Sequence, residues 1–199
     1  MSKAVLAVVG VVVAVVAIVG LVAVGQYNGL VREAQAVDQQ WSQVENVYQR
    51  RADLVPNLVT VVQGSANFEK STLVQVTEAR SRVGQVSSAG AANDPQALER
   101  FARAQAQLGA ALSRLMVVVE NYPELKSTES FQTLQTQLAG AENRIAVERK
   151  RYNEAAQGYN TRLQRVPAAW FVSAFGWSFK PKAYFQAETG AEQAPAVKM

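Results

Sequence analysis

From Ala4 to Val24 the chain is built only of Ala, Val, Leu, Ile and Gly, and no charge falls between Lys3 and Arg32. A helix rises about 1.5 Å per residue, so a run of 21 residues covers about the 30 Å hydrocarbon core of a bilayer. In lipid such a segment must be helical, because backbone groups without partners are costly there. The run predicts an N-terminal membrane anchor over residues 1–25, with a transmembrane helix at about 4–24. A secretory signal would have a shorter apolar core, of about 7–15 residues, and a small-residue cleavage site. Ala23-Val24-Gly25 fits such a site, but the run is too long and only Lys3 supplies the positive start. A buried core helix of this purity would need a large protein around it. Gly10 and Ala14 form one small-xxx-small pair, compatible with self-association. Lys3 and Arg32 flank the span too evenly for the positive-inside rule to choose a side.

The chemistry open to the rest is narrow. The chain has no Cys and no His, which removes Cys/His metal sites, Ser-His-Asp and Cys-His nucleophile systems and imidazole proton shuttles. No Gly-rich phosphate loop or carboxylate cluster replaces them, so no catalytic, cofactor-binding or metal residue is predicted, no cofactor is expected, and the chain reads as a non-enzyme. Its 20 basic and 16 acidic side chains are interleaved, as in Glu148, Arg149, Lys150, Arg151 and Glu154. A nucleic-acid binder segregates its bases into a patch, so no nucleic-acid partner is expected.

Past the anchor, apolar residues recur at three-four spacing. Ala34, Val37, Trp41, Val44, Tyr48, Arg51, Val55, Leu58 and Val62 make one seam; Phe131, Leu134, Leu138, Ala141, Ile145, Glu148, Tyr152, Ala155 and Tyr159 make another. Both are the seams of long bundle helices, at about Tyr27–Gln63 and Thr128–Gln164. Two shorter patterns lie between them, at about Ser65–Gln85 and Pro95–Glu120. Asp94 is suited to cap the third helix with Pro95 at its first position, Ser127 to cap the fourth, and Pro167 to end it. Pro56 inside the first should kink it or free the carbonyl near Ala52. The fold class is thus all-α: a transmembrane helix, then an antiparallel, up-down-up-down, coiled-coil-like four-helix bundle over 26–166.

In that topology the first and last helices pair where residue numbers add to roughly 192, given equal reach from the membrane end. Trp41 should lie near Tyr152, and Arg50, Arg51 and Asp53 near Glu142, Asn143 and Arg144. These six form a predicted polar layer halfway along the bundle, serving register; solvated surface charge and a ligand or ion site are the alternatives.

After Pro167 the composition changes. Trp170, Phe171, Phe175, Trp177, Phe179, Tyr184 and Phe185 crowd together with Lys180 and Lys182. Because the last helix returns toward the anchor, residues 167–186 are expected at the bilayer surface, where aromatic rings flanked by Lys suit the headgroup zone. Capping the open end of the core and binding a partner are the other readings. Residues 187–199 have the composition of a disordered tail.

Several blocks are specific. Tyr27-Asn28-Gly29-Leu30-Val31, Trp41, Arg50-Arg51-Ala52-Asp53-Leu54-Val55-Pro56-Asn57-Leu58-Val59, Thr77-Glu78-Ala79-Arg80 and Glu120-Asn121-Tyr122-Pro123-Glu124-Leu125-Lys126 closely resemble the LemA family. So do Glu142-Asn143-Arg144-Ile145-Ala146-Val147, Arg151-Tyr152-Asn153-Glu154-Ala155 and Tyr159-Asn160. The short Ala/Ser/Gly-rich connector after Val86 and the Trp-rich tail depart from the family pattern. The resemblance implies a single-pass protein of the bacterial inner membrane with no established catalytic activity. Relatives in that family include a magnetosome-membrane protein, and its genes often neighbour a membrane zinc metallopeptidase. The expected partners are therefore the lipid bilayer, further copies of the chain as a homo-oligomer, and a membrane protease. Three functions stay open: a self-assembling scaffold that organises or remodels membrane, an adaptor presenting substrates to a metallopeptidase, and a lipid- or ligand-binding bundle.

Overall fold

The computed structural model describes residues 2–65 and 68–186. All regular structure in them is helical. The anchor and the first amphipathic helix, expected as separate elements, are one helix, α1, Lys3–Gln63, of 61 residues and about 90 Å at 1.5 Å per residue. Ser2 caps its start, its hydroxyl accepting from Val5 N at 3.4 Å. Nothing between Gly25 and Gly29 is a proline, and an isolated glycine costs only about 1 kcal/mol in a helix, too little to stop a rod continued on both sides.

The second helix, α2 (Lys70–Gln85), starts later than the three-four pattern implied. Phe68 is buried just before it, against the Tyr122 ring at 4.9 Å. A 3-10 turn, Ala91–Asn93, follows Gly90, whose φ of 76° favours a residue without Cβ. Helix α3 (Pro95–Val119) opens with Asp94 Oδ1 accepting from Gln96 N at 2.9 Å. A single turn, α4 (Pro123–Lys126), leads into α5 (Glu129–Gln164). The α5 cap is Thr128, whose hydroxyl accepts from Phe131 N, and not Ser127, which donates to Glu124 O at 2.9 Å. Helix α6 (Ala168–Phe175) ends at Gly176 with φ 63°, and residues 177–186 run on without helix.

Packing along α1 and α5 follows a falling register. Glu33 meets Arg162, Trp41 meets Tyr152 and Arg51 meets Glu142, so each partner on α5 moves back as α1 advances. The core divides in two. Distally, Ala52–Val62 of α1 pack with Leu73, Val76 and Ala79 of α2, Leu108–Val119 of α3, and Phe131 and Leu138 of α5. Toward the anchor, Leu30–Tyr48 pack with Leu98 and Phe101 of α3 and Ile145–Leu163 of α5. Helix α2 gives no buried side chain to this second core. Ala91, Ala92, Ala183 and Phe185 fill it instead. The anchor-side core is therefore closed by the 3-10 turn and the non-helical segment around Ala183 and Phe185, in the place α2 takes in the distal core.

Pro56 sits inside α1 and has no N–H for the Ala52 carbonyl one turn before it. Arg80 of α2 supplies that donor, its Nε lying 3.1 Å from Ala52 O. Two sequence blocks far apart in the chain thus meet over one orphaned acceptor. Arg80→Met is expected to cost about 1–2 kcal/mol, and less than about 0.5 kcal/mol in a Pro56→Ala background, where residue 56 regains its own donor. Urea unfolding of the four proteins of this cycle measures the coupling; equal costs in both backgrounds would refute it.

Candidate functional site

The anchor end has three layers. Outermost, the apolar part of α1 stands bare: Leu6, Val11, Val16, Ile18 and Leu21 are all exposed. Among the described residues α1 is the one helix long and apolar enough to cross a membrane, and none of its apolar window is buried in protein. Burial begins at Ala23 and is complete at Leu30.

The second layer is aromatic. Trp177 meets Tyr27 edge-on at 5.1 Å and stacks on Phe171 and Phe175 at 6.1 and 5.9 Å; Phe179 lies 5.4 Å from Tyr27. Tyr27 follows the last residue of the apolar run by three positions, so these rings sit where the apolar span ends. Trp170 and Phe175 keep 68% and 59% of their surface, which in water leaves large rings unburied beside a bare apolar helix. Below them the Arg162 guanidinium lies over Gly29 and reaches Glu33 at 2.7 Å. A Cβ at Gly29 would collide with that guanidinium.

The third layer is a clasp on residues 182–185. Asn160, buried on α5, donates to Lys182 O at 2.9 Å and accepts from Lys182 N at 2.8 Å; one helical stretch earlier Asn153 does the same for Phe185, both at 2.9 Å. Tyr152 Oη donates to Ala183 O at 2.8 Å, and Ala183 N donates to Ala92 O at 3.0 Å. Asn160 and Asn153 are seven positions apart, two helical turns, so both amides point into one groove. Each carboxamide turns one N–H and its oxygen to the backbone of the segment, as a neighbouring strand would. The side chains complete the fit: Lys182 Nζ reaches Asp38 at 2.6 Å, and the Phe185 ring enters the Trp41–Tyr152 cluster at 5.9 and 5.6 Å.

Between the two cores lies a polar layer. Arg51, 3% exposed, donates from Nη1 to Glu142 Oε1 at 2.8 Å and from Nη2 to Gln105 O and Oε1 at 2.8 and 2.7 Å. Its guanidinium also lies 5.2 Å from the centre of the Tyr48 ring. One side chain therefore ties α1, α3 and α5 together at the boundary of the two apolar clusters. Gln105, itself buried, is absent from the expected layer although the sequence carries a signal for it: it stands on the three-four seam of α3 that runs Leu98, Phe101, Gln105, Leu108, Leu112, Leu115 and Val119.

The six expected layer residues split. Arg51 and Glu142 meet; Arg50, Asp53, Asn143 and Arg144 are exposed, with Asp53 bonded to Gln49 on its own helix. They share the level of Arg51, but successive residues turn by about 100°, which carries these four away from the seams and into water. The expected membrane group also splits. Trp170, Phe171, Phe175, Trp177, Phe179 and Lys180 stay at the anchor end. Lys182 and Phe185 are instead buried in the body, and Tyr184 accepts a hydrogen bond from Asn160 at 2.8 Å. The chain reverses after α6 and returns along α5, because Lys182 and Phe185 find partners there that lipid does not offer. The expected tail, residues 187–199, lies outside the described residues. Among the described residues no group of three His, Cys, Asp or Glu is placed to hold a metal.

Within the clasp, the polar layer and the Pro56–Arg80 contact, Arg51, Pro56, Arg80, Glu142, Tyr152, Asn153 and Asn160 belong to the sequence blocks singled out above; Gln105 and residues 182–185 do not. The LemA family model matches residues 40–199. The chain belongs to the LemA family. Magnetosome proteins MamQ 1 and MamQ 2 of Paramagnetospirillum magneticum are each 31% identical over 191 residues, covering 86% of this chain and 68% of theirs. Protein LemA of Metamycoplasma hominis is 24% identical over 142 residues, covering 71% of this chain and 61% of its own. The bare apolar helix and these relatives together point to membrane association.

Burial also sets how this LemA-family body responds to alkali. It pushes the hydroxyls of Tyr48, Tyr152 and Tyr159 above the ordinary value of 10.0, with the Asp38 carboxylate adding to the effect at Tyr152 and Tyr159. A raised folded pKa means that the unfolded chain loses these protons first. Stability is then fully present below pH about 10 and falls as pH rises further. Urea unfolding between pH 8 and 11 measures the fall, and Tyr152→Phe is expected to shallow it. An equal slope in that variant would refute the assignment.

Proposed function

We propose that the chain is a non-enzymatic, single-pass scaffold of the bacterial inner membrane, whose antiparallel four-helix body self-associates and so organises or remodels the bilayer. One observation carries this reading: α1 runs unbroken from the bare apolar span into both cores. A continuous helix transmits tilt and rotation between lipid and body, whereas a flexible linker would decouple them. Copies associating through their bodies would then impose an angle on their anchors, which is what shaping a membrane requires. The magnetosome names of the MamQ relatives agree with work at a membrane.

Native detergent extracts, crosslinked and analysed for self-association and for foreign chains, test it. The expected result is a homo-oligomer that resists alkaline carbonate extraction and gives curved membranes on overexpression. A monomer that copurifies with a membrane metallopeptidase in fixed ratio would replace the scaffold by the adaptor reading. Release of the chain by carbonate would remove the anchor itself.

A further inference from the structure

Among the described residues beyond the apolar run, the excess of positive charge gathers at one end of the body. Residues 155–186 contain Arg162, Arg165, Lys180 and Lys182 and no Asp or Glu; residues 25–38 add Arg32 with Glu33 and Asp38. The middle of the body, residues 39–154, is balanced, with 13 bases against 12 acids. Both acids at the anchor end are already engaged, Glu33 by Arg162 and Asp38 by Lys182. Arg32, Arg165 and Lys180 are exposed and, among the described residues, have no ion-pair partner. Along the chain Arg165 and Lys180 bracket the stacked rings of Phe171, Phe175 and Trp177, and Arg32 follows by five positions Tyr27, which meets Trp177 where the apolar run of α1 ends.

We propose that this end of the body is a docking surface for the anionic headgroups of the bilayer leaflet next to it, with Arg32, Arg165 and Lys180 supplying the charge and Trp170 and Phe175 the rings that enter the interface. The proposal rests on the anchored reading above. Three features favour a lipid surface as the occupant. The patch is continuous with the apolar span, so the anchor itself holds it against the leaflet. Its free charges are all positive and lie beside exposed aromatic rings, the combination that suits an anionic interface. Among the described residues the acids at this end are both paired, Glu33 with Arg162 and Asp38 with Lys182, so neither neutralises it. Rings alone would enter any headgroup zone; free bases make the contact depend on anionic lipid and on salt, since the attraction fades over a Debye length of about 8 Å. The second contact would fix the tilt of the rod, whose body would otherwise swing about one helix.

The chain has no cysteine, so a single Ser173→Cys substitution, exposed on α6, places one fluorophore at the proposed surface. The full-length protein is reconstituted in phosphatidylcholine vesicles with or without phosphatidylglycerol, each carrying brominated lipid as quencher. Quenching at residue 173 is expected to rise at least about twofold with phosphatidylglycerol, and to lose that increment in high salt or in the Arg32→Gln/Arg165→Gln/Lys180→Gln variant. A label at Ser113→Cys, exposed on α3, is expected to stay unquenched throughout. Vesicle co-flotation is measured alongside. Flotation with quenching indifferent to lipid charge, or unchanged in the triple variant, overturns the docking surface and leaves the anchor standing. Loss of flotation overturns both.

Discussion

Replacing Arg51 by Ala is expected to lower the unfolding free energy by about 3 kcal/mol. The loss comes mainly from Gln105, which is 4% exposed and whose side-chain oxygen would be left without a donor, while its mid-helix carbonyl keeps the N–H one turn ahead. Glu142 contributes less, because its side chain is 45% exposed and turns to water when the guanidinium is gone. Arg51→Met, which fills the volume and leaves the same side-chain oxygen unmet, should cost about 2 kcal/mol. Glu142→Gln keeps an acceptor for Nη1 and should cost about 1 kcal/mol, the exposed side of the pair being screened. Urea unfolding followed by far-UV circular dichroism ranks the three. An Arg51→Met protein with unchanged unfolding and unchanged assembly would remove the idea that this layer fixes how the helices meet, since buried polar groups at seams do so by making wrong registers costly.

Loss of the clasp should have the larger effect on dynamics. Asn160→Ala removes three hydrogen bonds and leaves Lys182 N and O without partners where Lys182 is 7% exposed. Unmet buried backbone groups cost about 1–3 kcal/mol each, and Phe185 gains about 2 kcal/mol from its own burial. The two terms are comparable, so the segment should detach locally and not unfold the body. Trypsin reads this directly. The bond after Lys182 is protected while its side chain lies on Asp38, and in Asn160→Ala it should become the first site cut, with cleavage faster by at least about tenfold. Gln157→Ala, an exposed neighbour on the same helix, is the control and should cut like the parent. Equal protection in Asn160→Ala would mean that the buried Phe185 and the Lys182–Asp38 pair hold the segment without the amides.

What the sequence made legible follows one rule. The three-four seams repeat every turn, so each buried position is announced by its neighbours; Trp41, Val44, Tyr48, Val55 and Val62 are all in the core. Equal reach of the two long helices was enough to bring Trp41 level with Tyr152. Asp94 and Pro95 marked the start of α3 by a local chemistry that needs no partner. Level, however, is not facing. Arg50, Asp53, Asn143 and Arg144 were at the right height and on the wrong side of their helices.

Residues 177–186 mark the limit. The segment has no period, and its aromatic and basic content suits a bilayer surface as well as it suits a core. What placed Lys182 and Phe185 in the body was the spacing of Asn153 and Asn160 on another element, 22 to 32 residues away in the chain. The apolar run, the helical class and the pairing levels were thus written in local composition and periodicity. The clasp, the Gln105 partner of Arg51, the Arg80 cover over Ala52 and the gathering of free charge at the anchor end were decided by tertiary structure. Each joins groups distant in sequence through hydrogen bonds or proximity, and such contacts leave no repeating pattern along a chain.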